Sequence, residues 1–253
     1  MKALHVAASG MSAQQTQLDT IANNMANVST TGFKRSQGAF EDLLYQEVTS
    51  GGQGEILSRS EVGGGVRLAG LTRDHGMGAL KQTGDSLHVA LNGEGYLVLE
   101  DYNGGQAYTR DGTLMVDGEG TLRHVAGHRV AGDIRVPPDA VSITIAQDGT
   151  VSARLREDVD DTVIGQIEVA RFANPAGLRS LGGNGFAETP ASGQPILGTD
   201  GETQVMQGFL EGSNVDVAEE LVSLIVDQRA YELNSKVIQA ADEAMGVAAN
   251  LKR

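Results

Sequence analysis

Residues 217–251 read VAEELVSLIVDQRAYELNSKVIQAADEAMGVAANL, a run with no proline and one glycine, Gly246. Val217, Leu221, Leu224, Gln228, Tyr231, Ser235, Ile238, Asp242, Met245 and Ala249 alternate steps of four and three, and Ile225, Ala241 and Ala248 flank that seam. The spacing predicts a helix of roughly 50 Å at 1.5 Å per residue, about three times the length of an ordinary globular helix. Asp216 stands where it can cap the first turn, with Glu219 three residues on as in a capping box.

The other end of the chain repeats the pattern. Leu4, Met11, Leu18 and Met25 recur every seven residues, Ala8 and Ala22 follow four after Leu4 and Leu18, and Ala7, Ile21 and Val28 widen the stripe. A helix over about 3–28 follows, roughly 40 Å long with a glutamine-rich opposite face. The two helices are expected to pair with each other. Several seam positions are Ala, Ser, Gln or Asp, so a closed two-helix hairpin would bury little apolar area at about 25 cal/mol per Å². Neighbouring copies are therefore expected to supply the rest of the burial. Leu4, Met11, Leu18, Ile21, Met25 and Val28 on the first helix, with Leu221, Leu224, Ile225, Tyr231, Ile238 and Met245 on the second, are the candidate subunit-interface residues.

Between the helices the composition changes. Of 34 glycines, Gly10 is alone in the first thirty residues and Gly246 alone after Asp216, while all five prolines lie between Pro137 and Pro195. Helix breakers are thus confined to the middle. Asp-Gly pairs at 111–112, 117–118, 148–149 and 200–201 mark tight turns. Ile143 and Ile145, then Val151, Ala153 and Leu155, alternate with polar residues around Asp148-Gly149 and predict a hairpin with one buried face. Leu91, Leu97, Leu99, Leu114, Val116, Leu122, Val163, Ile167 and Val169 suggest further short strands. The expected class is α+β: a discontinuous helical coiled-coil domain over 1–32 and 213–253, a connecting segment and extended arm over 33–80, and an antiparallel β-rich domain over 81–212. The stretch 47–70, holding Gly51, Gly52, Gly54, Gly63, Gly64, Gly65 and Gly70, reads as a loop or extended arm. Ile56, Leu57, Val62, Val66 and Leu68 are its candidate anchors on an adjacent copy.

The formal charge of -14 argues against a nucleic-acid partner, because phosphate binding needs clustered Lys and Arg. No cysteine is present, so neither disulfides nor thiolate metal sites are available. Gln14, Gln15, Gln17 and Asp19 interrupt any apolar run that a cleaved leader or spanning helix would need, so no signal peptide and no membrane insertion are expected. No HExxH, GxSxG or phosphate-cradling GxxxxGK[ST] motif occurs. His124 and His128 read as strand or turn histidines, and Asp158, Asp160 and Asp161 lack the glycine and distal glutamate of a calcium loop. Glu188 and Asp200 are not singled out from the other acids as a glycan-cleaving pair. No catalytic residue, metal or cofactor is assigned, and no enzyme is expected.

Several segments resemble one known family. IANNMANVSTTGFKR (21–35), QGFLEGSNVDVAEELVSLI (207–225) and DQRAYELNSKVIQ (227–239) are similar to the conserved ends of flagellar rod and hook proteins. FEDLLYQ (40–46), AYTRDG (107–112) and ETPASG (188–193) resemble the distal-rod branch, with the proximal rod branch second. The resemblance covers nearly the whole chain. It implies a structural subunit of a bacterial flagellar basal body, with an inner coiled-coil tube of both terminal helices surrounded by the β domain. It implies self-association into a helical polymer, contacts with other rod proteins, hook protein and surrounding rings, export through the flagellum's own apparatus without a cleaved signal, and a place in the periplasm-spanning rod. A glycan-acting periplasmic enzyme and an export chaperone are the competing classes, and neither accounts for both ends.

Overall fold

The computed structural model describes residues 2–44, 46–50, 58–100, 104–156, 160–198, 201 and 203–250. Two helices and antiparallel strands make it α+β, with every strand pair among the described residues antiparallel. Two compact units divide the chain, one from residues 1–26, 36–73 and 216–253, the other from 27–35 and 74–215.

The first unit holds α1 (Lys2–Ala26), β1 (Ser36–Asp42), β2 (Gln46–Ser50), β3 (Ser58–Val62), β4 (Val66–Arg73) and α2 (Val217–Asn250). The cap on α2 is present: Asp216 Oδ1 accepts the amides of Ala218 at 2.8 Å and Glu219 at 3.3 Å. α1 stops at Ala26, earlier than expected, because Asn27 and Thr30 close a turn on each other through both backbone and side chain. Val28 therefore sits in that turn and not on the helix.

The stretch read as a loop is largely strand. β2 and β3 pair from Gln46 opposite Val62 to Ser50 opposite Ser58, and β4 pairs with β1 from Ser36 opposite Arg73 to Asp42 opposite Val66. The glycines concealed this. Gly63, Gly64 and Gly65 separate β3 from β4 and Gly70 lies within β4, and glycines in such number break the two-residue alternation by which strands are found in sequence.

The second unit is built on a nine-stranded sheet. Its main path runs Arg179–Gly182, Gly185–Ala187, Gln106–Thr109, Tyr96–Glu100, Arg129–Val130, Leu122–His124, Leu114–Val116, with Val169–Arg171 and Ile196–Leu197 joined at Tyr96–Glu100. A three-stranded sheet (Ala140–Ile145, Thr150–Leu155, Asp161–Gln166) contains the hairpin predicted around Asp148, whose Oδ1 accepts the Thr150 amide at 2.9 Å. The turn at Asp117 forms likewise, its Oδ1 holding the amides of Glu119 and Thr121. Asp111 makes no hairpin. It is buried, accepts from Thr113, and lies 3.4 Å from His124 Nε2, while Asp200 lies outside the described residues. One core packs Val89, Leu91, Leu97, Leu99, Leu122, Ile134, Val151, Ile167 and Val205, and a second packs Tyr96, Tyr108, Phe172 and Phe186 edge to face. At about 1.5–3 kcal/mol per buried side chain, these two clusters drive the unit's folding.

Candidate functional site

α1 and α2 run antiparallel against each other, Asn24 meeting Glu220 near one end and Gly10 lying against Asn234 toward the other. The stripe that α1 buries is Ala7, Ala13, Thr20, Ile21 and Asn24, and α2 buries Glu220. These are mostly small or polar groups. Leu4, Met11, Leu18 and Met25 lie at the edge of that face and are only half-buried, as are Leu224 and Ile238 on α2. Ile21 alone among the predicted interface residues is fully buried.

The large apolar side chains of α2 face outward. Leu221, Ile225, Tyr231 and Met245 are exposed, joined by Val222, Val226, Leu233 at 62%, Val237 and Val247. Single exposed hydrophobics are ordinary, but such a concentration along one helix marks a surface that another molecule covers. The two helices pair, and they meet through polar and small residues, while most of the bulky positions named as subunit-interface candidates stay at the edge or outside. Polar contacts satisfied within the chain leave the apolar surface available.

Among the candidate arm anchors, Val66 and Leu68 lie on β4, where Leu68 stands opposite Phe40 and Val66 opposite Asp42 of the same chain. Val62 ends β3, and Ile56 and Leu57 lie outside the described residues.

Sequence reasoning missed a buried cluster of charges in the second unit. Glu211, with no exposed surface, accepts at Oε1 from Lys34 Nζ (2.6 Å) and the Gly78 amide (2.9 Å), and at Oε2 from Arg110 Nη1 (3.0 Å). Lys34 Nζ also donates to Gly76 O, and Arg110 Nη2 to Gly93 O, with the guanidinium 5.4 Å from the centre of the Tyr96 ring. Burial drives the Lys34 ammonium below its usual range, with Glu211 opposing. Burial likewise pushes the Tyr96 phenol well up, its oxygen 2.6 Å from His75 Nδ1. Gly32 completes the arrangement. Its amide donates to Glu211 O at 2.8 Å, its φ is +67°, and a Cβ there would stand 2.6 Å from the Asp111 amide nitrogen, so only glycine fits.

These residues tie together 30–35, 76–78, 110–111 and 211–214, with Asn214 adding bonds to the Arg35 amide and to Asp74 and Gly76 carbonyls. Lys34, Arg110 and Glu211 belong to three of the resembling segments, GFKR, YTRDG and FLEGSN. In the sequence Glu211 stands between Leu210 and Gly212, but Lys34 and Arg110 each adjoin another charge, Arg35 and Asp111, so no local signal sets the three apart. The cluster holds two cations, each bonded to the one anion, and exposes no reacting group to solvent, so its chemistry is fastening.

A cavity of about 470 Å³ is lined by His124, His128, Gln106, Arg179 and glycines. His124 and His128 are cross-strand neighbours, His124 N bonding His128 O at 2.9 Å, and His124 Nδ1 accepts the Ala126 amide. Among the described residues no group of His, Asp or Glu is placed to hold a metal, and no helix is long and apolar enough to cross a membrane.

Three family descriptions match the chain: "Flagella basal body rod protein" at residues 4–34, "Flagellar hook protein FlgE/F/G D1 domain" at 90–153, and "Flagellar basal body rod FlgEFG protein C-terminal" at 206–251. Flagellar basal-body rod protein FlgG of Agrobacterium fabrum is 45% identical over the whole of both chains, and that of Bacillus subtilis 37% over the whole of both. Flagellar basal-body rod protein FlgF of Escherichia coli is 33% identical over 98% of this chain and 97% of its own. The two terminal matches fall on the two helices, and the chain belongs to the flagellar basal-body rod protein family.

Proposed function

We propose that this chain is a structural subunit of the bacterial flagellar basal body, polymerising helically into the distal rod that carries torque from motor to hook. The observation that carries the reading is the outward row of Leu221, Ile225, Leu233 and Val237 on α2. Neighbouring copies would cover it, forming a coiled-coil tube with the half-buried Leu4, Met11, Leu18 and Met25. A helical polymer needs two different complementary surfaces per copy, which two unlike helices supply. The hairpin of β2 and β3 acts as an arm that ties adjacent copies. Other rod proteins, hook protein, the surrounding rings and the flagellar export apparatus are the remaining partners, and the site of action is the periplasm-spanning rod, reached without a cleaved signal. The identity to FlgG relatives favours the distal position, while the FlgF relative keeps a proximal place as the second reading. Electron microscopy of isolated basal bodies with this subunit labelled tests the proposal. Label along the distal rod is expected; label confined to its base would support the second reading, and label absent from the axis would overturn both.

A further inference from the structure

We infer that a polar ladder across the α1–α2 hairpin fixes the register of the two helices, and with it the relative heights at which their apolar rows are presented. The inference rests on the reading of those rows as the assembly surface.

Asn24, Gln17 and Gly10 are seven residues apart on α1, and Glu220, Asp227 and Asn234 seven apart on α2. Antiparallel pairing sets them level as Asn24 with Glu220, Gln17 with Asp227 and Gly10 with Asn234. The first rung is the strongest. Asn24 and Glu220 are each 1% exposed, and Asn24 Nδ2 donates to Glu220 Oε1 at 3.1 Å. The same amide is clamped to β1, donating to Ser36 O at 2.8 Å and accepting from Ser36 N at 2.9 Å, so it has no other orientation to offer. In the middle, Gln17 and Asp227 are level without a bond: Gln17 Oε1 is buried against β1, 2.7 Å from where a Cβ on Gly38 would stand, and burial raises the Asp227 carboxyl above its usual range. In the last rung a Cβ on Gly10 would stand 3.0 Å from Asn234 Nδ2. The missing side chain is the space that Asn234 occupies.

A slip of three residues that brings Val217 level with Asn24, or of four that brings Leu224 level with it, sets a buried polar group against an apolar one, and any such slip breaks the Asn24–Glu220 bond. A slip of one whole heptad is subtler, because it still sets polar groups against polar groups. The position of the one glycine resolves it. Moving α2 so that Ala241 comes opposite Gly10 brings Asn234 level with Gln17, where a glutamine stands in place of the glycine that receives it. Moving the other way sets Gly10 against Asp227 and strands Glu220 beside Gln17. A single buried polar contact commonly selects among otherwise equivalent helix pairings at some expense of stability, and here a buried bond at one end and a fitted gap toward the other do so.

Because the chain has no cysteine, introduced pairs report register directly. Full-length protein in isolated basal bodies, and the purified soluble chain, would carry Gln14→Cys with Ala230→Cys (level in the observed register), with Val237→Cys (one heptad one way) or with Ser223→Cys (one heptad the other). Gel mobility separates cross-links within a chain from those between copies. In the native background only the Ala230 pair should close within a chain, with the slipped pairs at least about a hundredfold lower, the ratio expected for breaking a buried polar pair. Gly10→Leu, which fills the gap and favours helix, should transfer cross-linking to Val237, where small Ala241 receives the new side chain, and not to Ser223. Glu220→Leu combined with Asp227→Leu and Asn234→Leu should raise both slipped pairs at least tenfold. Slipped pairs closing in the native background, or Gly10→Leu leaving the Ala230 pair dominant, overturns the ladder. Failure of the assembly reading looks different: the register result holds within chains while no cross-links form between copies.

Discussion

Replacing Glu211 with glutamine removes one charge and almost no volume from a site with no exposed surface. Two cations, Lys34 at 2.6 Å and Arg110 at 3.0 Å, then face each other without the anion between them. The loss comprises two charge-assisted hydrogen bonds together with the cost of uncompensated buried charge, about 3–5 kcal/mol by comparison with other broken buried pairs. For a unit of this size that lowers the unfolding temperature by about 10 °C. Lys34→Met is the informative contrast. It leaves Glu211 bonded to Arg110 and to the Gly78 amide, and Gly76 O keeps the Asn214 amide at 3.1 Å. Burial already disfavours the Lys34 charge, so removing it should cost only about 1–2 kcal/mol. Urea unfolding of the purified chain, followed by circular dichroism in the strand region, measures both. Lys34→Met costing more than Glu211→Gln, or Glu211→Gln costing under about 0.5 kcal/mol, would refute the fastening role.

Leu224→Asp places a charge at the edge of the helix pair and should abolish rod assembly while the β unit keeps its own unfolding transition; normal rods in cells carrying only this variant would refute it. Deleting 53–63 should leave polymers that bend more, read as a shorter persistence length in electron micrographs, and an unchanged length would remove the arm from the account. Asp227 and Asp111 should respond to acid in opposite senses. The raised Asp227 carboxyl imposes a cost that is full above its folded pKa and vanishes below its unfolded value of 3.8, so the helix pair gains as pH falls through that window and Asp227→Asn removes the gain. For Asp111, burial alone would raise the carboxyl, but the His124 imidazole 3.4 Å away and hydrogen bonds from Thr113 outweigh it, so its contribution is present above 3.8 and lost as pH falls through the lower folded value. Hydrogen exchange between pH 3 and pH 6 should show α2 amides gaining protection relative to those near Asp111, and parallel loss in both regions would contradict the signs.

How much was readable depended on how local the cause was. α2 was plain from its length, its cap at Asp216 and the absence of proline, all decided within one turn or one run. The turns at Asp117 and Asp148 were plain because aspartate holds the amides two residues ahead. Asp111-Gly112 misled because Asp111 sits beside His124, which no dipeptide rule contains. The strands between 46 and 73 were obscured by their glycines. The polar contact between the helices was not foreseen for a physical reason: a search for apolar periodicity presumes that oil meets oil, whereas Asn24 with Glu220 and Gly10 with Asn234 meet inside this chain. The Lys34, Arg110 and Glu211 cluster was invisible because a lone charge in sequence is read as surface until its counter-charge is brought to it.

That cluster also imposes an order in time. Lys34 and Glu211 are separated by 177 positions, Arg110 and Glu211 by 101, and Asn24 and Glu220 by 196. Closing loops of that span costs chain entropy that no early contact repays, so these bonds set only after the strands between them have condensed. A chain delivered N-terminus first, through a ribosomal tunnel or any other narrow passage, has Lys34 and Arg110 in hand long before their carboxylate arrives. Until then the two cations lack the anion that fastens them, and that part of the fold stays unfastened. The last quarter of the sequence is the clasp, and its late arrival keeps the subunit from setting before it is whole.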